Sequence, residues 1–276
     1  MASTVLITGC SSGIGAAAVR RFAEHGWNVA ATLRNPAKVH FEHAAGCVEA
    51  FALDVTDARA VDAAVAATLK RFGQIDVVMN VAGYGLFGPF ETATAEAIQR
   101  EFDTNVGGVF AVTRAVLPHL RERRSGVIIN VASLTGLVAM PLYSIYAASK
   151  FAVVGFSESL SHELAAFGIR VKVFAPGAVA TNFSGSSLAR TFDGDGGPYA
   201  DAIRKALAAF EANRAAGGSA SSPEQVAQAL YEAATDGSAQ VLYVTGDDAH
   251  AVLKARHEMG EEALLAGVRQ RFGLAG

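Results

Sequence analysis

The chain has 276 residues, 51% of them hydrophobic and 18% charged, with a formal net charge of -3. That length suits one large domain, whose core needs no disulfide or metal staple. The charge balance gives no electrostatic reason to expect nucleic acid or an anionic membrane as partner.

Cys10 and Cys47 are too few and too isolated for a disulfide framework or a thiolate metal site, and no metal is expected. The opening Met-Ala-Ser-Thr-Val-Leu-Ile-Thr-Gly lacks the basic and long apolar regions of a signal peptide. No apolar run approaches the roughly 20 residues that span a bilayer. A cytoplasmic protein is the expectation.

Short β-branched runs alternate with longer Ala-rich stretches, the pattern of a parallel sheet with helices on both faces. Strands are expected at Val5–Thr8, Trp27–Leu33, Cys47–Leu53, Ile75–Asn80, Val127–Ala132, Ile169–Ala175 and Val241–Val244. The first helix runs from Gly13 to His25. A second, Asp57–Phe72, keeps Val61, Val65 and Leu69 on one face, with Thr56 as its N-cap.

Two long helices follow, Glu96–Arg123 and Tyr143–Phe167, the latter ended by Gly168. Thr181–Pro198 reads as a loop leading into a helix near Ala200–Ala215, so residues 181–217 form a substrate-loop region within a single domain covering 1–276. Ser222-Pro-Glu-Gln225 is a capping box that opens another helix. The tail after Asp247 is helical in composition. Right-handed crossovers then give a Rossmann-type, doubly wound α/β sheet of about seven strands.

Thr8-Gly9-Cys10-Ser11-Ser12-Gly13-Ile14-Gly15 lies directly between the first strand and the first helix. Glycines there let the backbone turn sharply and approach a pyrophosphate, whose charge suits the free N–H groups of a helix N-terminus. The candidate dinucleotide contacts are Gly9, Ser11, Ser12, Gly13, Ile14 and Gly15.

Tyr146-Ala-Ala-Ser-Lys150 lies on a helix, and its i, i+4 spacing places phenol and ammonium on one face. A free phenol titrates near pH 10, too high for proton exchange near neutrality, and a neighbouring positive charge lowers it. Ser133 stands at the C-terminal end of the fifth strand, where ligands of open α/β sheets bind. Asn105 lies mid-helix, an unfavourable place unless its side chain has an inward partner.

The Thr-Gly-x-x-x-Gly-x-Gly spacing, which differs from G-x-G-x-x-G, resembles the short-chain dehydrogenase/reductase family. Asn105, Ser133, Tyr146 and Lys150 match that family's catalytic tetrad position by position. The resemblance implies that Tyr146 is the general acid/base and that Ser133 orients the substrate oxygen. Lys150 would bind the nicotinamide ribose and lower the tyrosine pKa, and Asn105 would hold a water in the proton relay.

Asn80-Val81-Ala82-Gly83 resembles the family's Asn-Asn-Ala-Gly segment on the adenine side, with Val81 replacing the second Asn. Asp54 and Val55 resemble the adenine-contacting pair. Pro176-Gly177-Ala-Val179-Ala-Thr181 resembles the segment that grips the carboxamide, through Val179 and Thr181.

At the end of the second strand, Ala30-Ala31-Thr32-Leu33-Arg34-Asn35 offers no acid for a ribose 2′-hydroxyl, while Arg34 suits a 2′-phosphate. NADP(H) is the favoured cofactor and NAD(H) the alternative. Thr-Gly-Cys-Ser-Ser-Gly-Ile-Gly together with Ala-Thr-Leu-Arg resembles the branch of 17β-hydroxysteroid and retinol dehydrogenases. That resemblance implies a hydrophobic alcohol or ketone, with Ser133, Tyr143, Tyr146 and Phe183 facing it.

Leu137, Val138, Met140 and Leu142 add apolar candidates to the same wall. Two alternatives stay open: a 3-oxoacyl carrier-protein reductase, with Arg121, Arg123 and Arg124 attracting an acidic carrier, and a dinucleotide sensor without turnover. The resemblance also implies a homodimer or homotetramer built through the two long helices.

Overall fold

The computed structural model describes residues 2–39, 41, 47–181, 187–215 and 220–274. Seven parallel strands form the main sheet. They are β1 (Thr4–Ile7), β2 (Asn28–Leu33), β3 (Val48–Ala52), β4 (Val77–Asn80), β6 (Gly126–Val131), β7 (Ile169–Pro176) and β9 (Leu242–Thr245). Their spatial order is β3-β2-β1-β4-β6-β7-β9, which makes this a Rossmann-type α/β sheet. The chain winds outward from β1 to β3, crosses back to β4, and then winds the other way. The crevice beside the C-terminal ends of β1 and β4 is therefore the switch point at which such sheets bind ligands.

The strands read as unbroken apolar runs because both faces of the sheet are covered. Val5 and Ile7 point to one side, with Met79, Ile129 and Phe174, and pack on helices α1 (Gly13–Glu24) and α7 (Pro223–Thr235) through Phe22 and Leu230. Leu6, Val78 and Ile128 point the other way, onto Val61 of α2 (Ala58–Phe72), Val112 and Val116 of α4 (Gly108–Arg123) and Leu160 of α5 (Ser144–Ala165). The alternation of side chains along a strand supplies both cores from one segment.

Local chemistry sets the element ends. The carboxylate of Asp57 caps α2 by accepting from the N–H groups of Arg59 and Ala60, at 2.9 and 3.3 Å. The expected cap, Thr56, instead donates its hydroxyl to Asp54 at 2.7 Å. The capping box is present: Ser222 Oγ accepts from Gln225 N and Gln225 Oε1 accepts from Ser222 N.

The long helix expected over Glu96–Arg123 is broken into α3 (Ala95–Phe102), a π-helical turn at Asp103–Gly107, and α4. Gly108, just after that turn, has no room for a side chain: a Cβ there would meet Val55 Cγ2 at 2.6 Å. The turn and the close approach together seat the start of α4 against the loop after β3.

Two three-residue strands, β5 (Gly85–Phe87) and β8 (Leu188–Arg190), pair in parallel and draw the segment after Ser187 toward the switch point. Beyond them come α6 (Ala200–Ala215), α8 (Asp247–Met259) and α9 (Glu261–Arg271).

Polar groups also penetrate the core of the sheet. Asn80 donates to Asn130 Oδ1 at 2.8 Å and to Thr113 at 3.3 Å, and Asn130 donates to Ser157 at 2.8 Å. On β7, the fully buried Lys172 donates to Asp236 at 2.6 Å, to Ala233 O at 2.7 Å and to Tyr243 at 2.8 Å. Such groups are tolerated inside only when their donors find partners.

Candidate active site

At the end of β1, the hydroxyl of Thr8 accepts from Val81 N at 3.0 Å and Ala82 N at 3.1 Å, tying the glycine loop to the segment after β4. Gly9 has φ of 74°, and a Cβ there would lie 2.8 Å from Ala82 Cα, so only glycine fits. A Cβ on Gly13 would meet Thr181 Cγ2 at 3.3 Å, which brings the end of the Pro176–Thr181 segment across the crevice onto the loop.

Ser12, the N-cap of α1, makes no side-chain cap bond, and the first turn holds no acidic residue. Those N–H groups and the positive end of the helix dipole therefore suit an anion. Such a cradle suits the pyrophosphate of a nicotinamide dinucleotide. The residues that would hold it are Gly9, Ser11, Ser12, Gly13, Ile14 and Gly15.

Around the loop, Arg34 is exposed just beyond β2, and its charge reaches Asp54. The Asp54 carboxyl is held below its usual range first by hydrogen bonds from Thr56 and then by Arg34. Val55 is buried under α4. The side chain of Asn80 is turned into the core, so any cofactor contact it makes comes through its backbone. Gly177 donates to Thr245 O, and Ala178 N donates to Asp248, which fixes the segment after Pro176 against the start of α8. Val179 bridges to Ser221.

The sheet and α5 bring the tetrad candidates together. Ser133 follows β6 and starts a short 3-10 turn, Leu134–Gly136, where its hydroxyl accepts from Thr135 N at 3.2 Å. The turn lies tight on α5: a Cβ on Gly136 would sit 2.9 Å from the carbonyl of Lys150. Across that contact the Ser133 hydroxyl and the Tyr146 phenol are hydrogen-bonded.

Lys150 is buried, donates to Val131 O at 3.0 Å, and has its Nζ 5.7 Å from the centre of the Tyr146 ring. Asn105 lies in the π turn. Its amide donates to Tyr84 O at 2.8 Å and to Ser149 Oγ at 3.1 Å, while its oxygen accepts from Tyr84 N at 3.0 Å. Ser149 in turn donates to Tyr146 O at 2.8 Å, so Asn105 clamps the helical turn that carries Tyr146 and Lys150.

Burial dominates the electrostatics. It pushes the Tyr146 phenol well above its ordinary value, against the lowering by the Ser133 hydrogen bond, and Glu101 and Tyr143 push the same way as burial. The sequence implied a lowered phenol through Lys150; desolvation reverses the direction. Burial also pulls Lys150 down to about 8, opposed by the charge of Glu101. Tyr143 is pushed up to about 12 by burial.

Sequence reasoning missed two features. One is Glu101, a carboxyl with no exposed surface, whose pKa burial lifts to about 7. The other is an aromatic wall beside the phenol. The Tyr143 ring lies 6.0 Å from Tyr146, 5.1 Å from Phe87 and 5.9 Å from Phe210, and Phe210 lies 5.0 Å from Phe272. Phe192 joins it 6.2 Å from Phe87. Phe183, the expected substrate contact, lies outside the described residues. Leu137 and Val138 are buried and serve as packing. Among the described residues no acidic, His or Cys cluster could hold a metal, and no helix is long and apolar enough to cross a membrane.

The family model described as short chain dehydrogenase matches residues 3–191. The chain belongs to that family. It is thus a nicotinamide-dinucleotide-dependent oxidoreductase.

A 3-ketodihydrosphingosine reductase of Bacteroides thetaiotaomicron is 37% identical over 207 residues, 75% of each chain. Human retinol dehydrogenase 8 is 42% identical over 195 residues, 68% of this chain and 62% of its own. Among solved structures, a short-chain dehydrogenase from Streptomyces avermitilis superimposes with a TM-score of 0.81 at 29% identity, covering 98% of this chain and 95% of that one. A 3-ketoacyl-(acyl-carrier-protein) reductase from Brucella melitensis, complexed with NADH, gives 0.72 at 28% identity, covering 88% and 94%.

Proposed function

We propose that this protein interconverts a hydrophobic ketone and its alcohol, using NADP(H) in preference to NAD(H). The observation that carries the reading is the hydrogen-bonded Ser133–Tyr146 pair, with Lys150 beneath it and the aromatic wall of Tyr143, Phe87 and Phe210 beside it.

The bound nicotinamide supplies or takes the hydride. Tyr146 Oη gives its proton to the substrate oxygen as the carbonyl is reduced, and takes it back in the oxidation direction. Ser133 Oγ holds that same oxygen by a hydrogen bond. Lys150 stabilises the phenolate left behind, and Asn105 keeps the Tyr146–Lys150 turn of α5 in place. The aromatic wall excludes water from the oxygen and fits an apolar substrate body. The relatives named for retinol and for 3-ketodihydrosphingosine point the same way, since both molecules are long hydrocarbons bearing an alcohol or a ketone.

Arg34, exposed beyond β2 with no acid before it in that strand end, supports the 2′-phosphate. Of the arginines that could attract an acidic carrier protein, Arg123 is held by Asp76 at 2.9 Å and by Ile75 O, and Arg124 by Ala166 O, at the N-terminal end of the sheet, opposite the crevice. For the assembly we infer a homodimer or homotetramer through α4 and α5, where Phe110 and Phe151 are 41% and 38% exposed. A monomeric mass by light scattering removes that inference.

The test of the activity is oxidation of NADPH, followed by absorbance, across ketones of graded apolar length. Turnover is expected, and Tyr146→Phe is expected to abolish it while leaving NADPH affinity within a few-fold. A Tyr146→Phe enzyme with normal turnover overturns the assignment.

A further inference from the structure

Glu101 is the penultimate residue of α3, two positions before the π turn, with no solvent-exposed surface. A carboxyl in such a place is ordinarily paired with an Arg or Lys at hydrogen-bond distance, or saturated by backbone N–H donors. Here Oε1 lies 3.4 Å from Asn105 Nδ2, whose two protons are already better placed toward Tyr84 O and Ser149. The backbone N–H of Leu86 reaches the carboxyl. Oε2 is buried and has no hydrogen-bond partner among the described residues.

The ionisable groups that face it from the surrounding elements are Lys150 and Tyr146 on α5 and Tyr84 after β4. On its own side of the chain, Arg100 and Asp103 lie against Tyr84. Gly83 leaves the space between these groups open: a Cβ there would sit 3.0 Å from Asn105 Oδ1 and 3.5 Å from Lys150 Nζ. The carboxyl, the Asn105 amide and the ammonium therefore belong to one buried polar cluster behind Tyr146.

We propose that Glu101 is a positioning residue for the reaction, the buried counter-charge that fixes the pH at which the Tyr146–Lys150 couple gives up its proton. This rests on the proton-transfer roles proposed above for Tyr146 and Lys150. A negative charge beside two groups that lose a proton holds that proton on both. It favours the ammonium over the amine and the phenol over the phenolate. The two titrate as a couple, so the effect falls on the apparent pKa of the pair. The carboxyl exerts it only when ionised, and burial places its own titration at about 7. Below that value the counter-charge is absent, and above it the couple is held protonated. The device thus keeps the proton donor loaded as the pH rises.

The experiment is the pH profile of kcat/KM for reduction in the wild type, Glu101→Gln and Glu101→Asp, with thermal unfolding of each. Glutamine keeps the shape and the acceptor for Leu86 N–H but not the charge. The limb on which activity falls with rising pH is expected about one unit lower in Glu101→Gln. The two curves are expected to converge below about pH 7, and Glu101→Asp to restore part of the shift. A folded Glu101→Gln enzyme whose basic limb superimposes on that of the wild type overturns the proposal, whatever happens to its kcat.

Should glutamine prevent folding, carboxyl NMR of the 13C-glutamate-labelled wild type answers without turnover. One glutamate is expected to titrate near neutrality and to move in Lys150→Met; a spectrum in which none does so refutes the idea. Tyr146→Phe keeps the two readings apart. Activity in that variant removes the proposed function, whereas its inactivity beside an unshifted Glu101→Gln profile removes only the role of Glu101.

Discussion

Gly136→Ala adds one methyl at the point where the Ser133 turn rests on α5. The new carbon would lie 2.9 Å from the Lys150 carbonyl and 3.0 Å from its Cβ. Carbon pairs settle at about 3.5–4.0 Å, so the turn must retreat by about 0.6–1 Å. Neither contact is a flexible side-chain end, which leaves helix and turn to absorb the strain. Overpacking of this kind costs about 1–3 kcal/mol of stability.

The larger effect falls on function. The Ser133–Tyr146 hydrogen bond spans that contact, and a misplacement of about 1 Å in a reacting constellation costs about 10²-fold in rate. That corresponds to about 2.7 kcal/mol of barrier. The assay is kcat and KM for ketone reduction, with NADPH affinity from fluorescence titration and the unfolding midpoint from denaturant. Affinity for the cofactor is expected to stay within a few-fold. Gly267→Ala is the control, because that helical glycine has nothing within 4 Å of its added carbon. It is expected to stabilise by about 0.5–1 kcal/mol and leave kcat alone. A Gly136→Ala enzyme with kcat within twofold of the wild type refutes the argued coupling between turn and helix.

Arg34→Asp exchanges a cation for a charge that repels phosphate, and the NADPH to NADH ratio of kcat/KM is expected to fall about 10²-fold; an unchanged ratio means that Arg34 does not read the cofactor. Asp236 is lowered well below the ordinary carboxylate range: burial alone would raise it, but hydrogen bonds from Lys172, Tyr243 and Ser238 outweigh that. Its stabilising contribution is therefore present at neutral pH and is lost as pH falls through the folded value. Asp236→Ala is expected to cost about 1–2 kcal/mol at pH 7, less than a buried pair because the carboxyl is screened by solvent, with the gap closing on acidification from about pH 5 downward. Denaturant titrations at several pH values check it, and a gap that does not depend on pH refutes the linkage.

Much of the architecture was legible because it rests on local signals. Apolar runs bounded by glycine mark buried strands wherever both faces are covered, and Ser222 to Gln225 announces its own helix start. The missed features depend on distance in the chain. Asp57 displaced Thr56 as a cap because Asp54 had already claimed the threonine hydroxyl. The π turn inserts one residue of helical phase, which no periodicity over Glu96–Arg123 displays. Three-residue strands such as Gly85–Phe87 are too short to show alternation, and their pairing with Leu188–Arg190 spans about a hundred residues. Glu101 looks like one more solvated helix acid; only its four-residue spacing from Asn105 hinted otherwise. Phe210 and Phe272 carry no motif, and only folding brings them near Tyr143.

The aromatic wall straddles the end of the family match, with Phe87 and Tyr143 inside it and Phe210 and Phe272 outside. The segment matched as short chain dehydrogenase ends at residue 191 and contains the glycine loop, the tetrad candidates and Arg34. Phe210 and Phe272 lie beyond it, as does Arg256, which bonds the carbonyl of Leu137. The glycine loop and the tetrad candidates thus lie wholly inside the family segment, while part of the proposed substrate wall comes from outside it. Exchanging the helix Ala200–Ala215 between relatives is expected to change substrate preference, because Ser221, Thr245 and Asp248, which hold the segment after Pro176, stay in place.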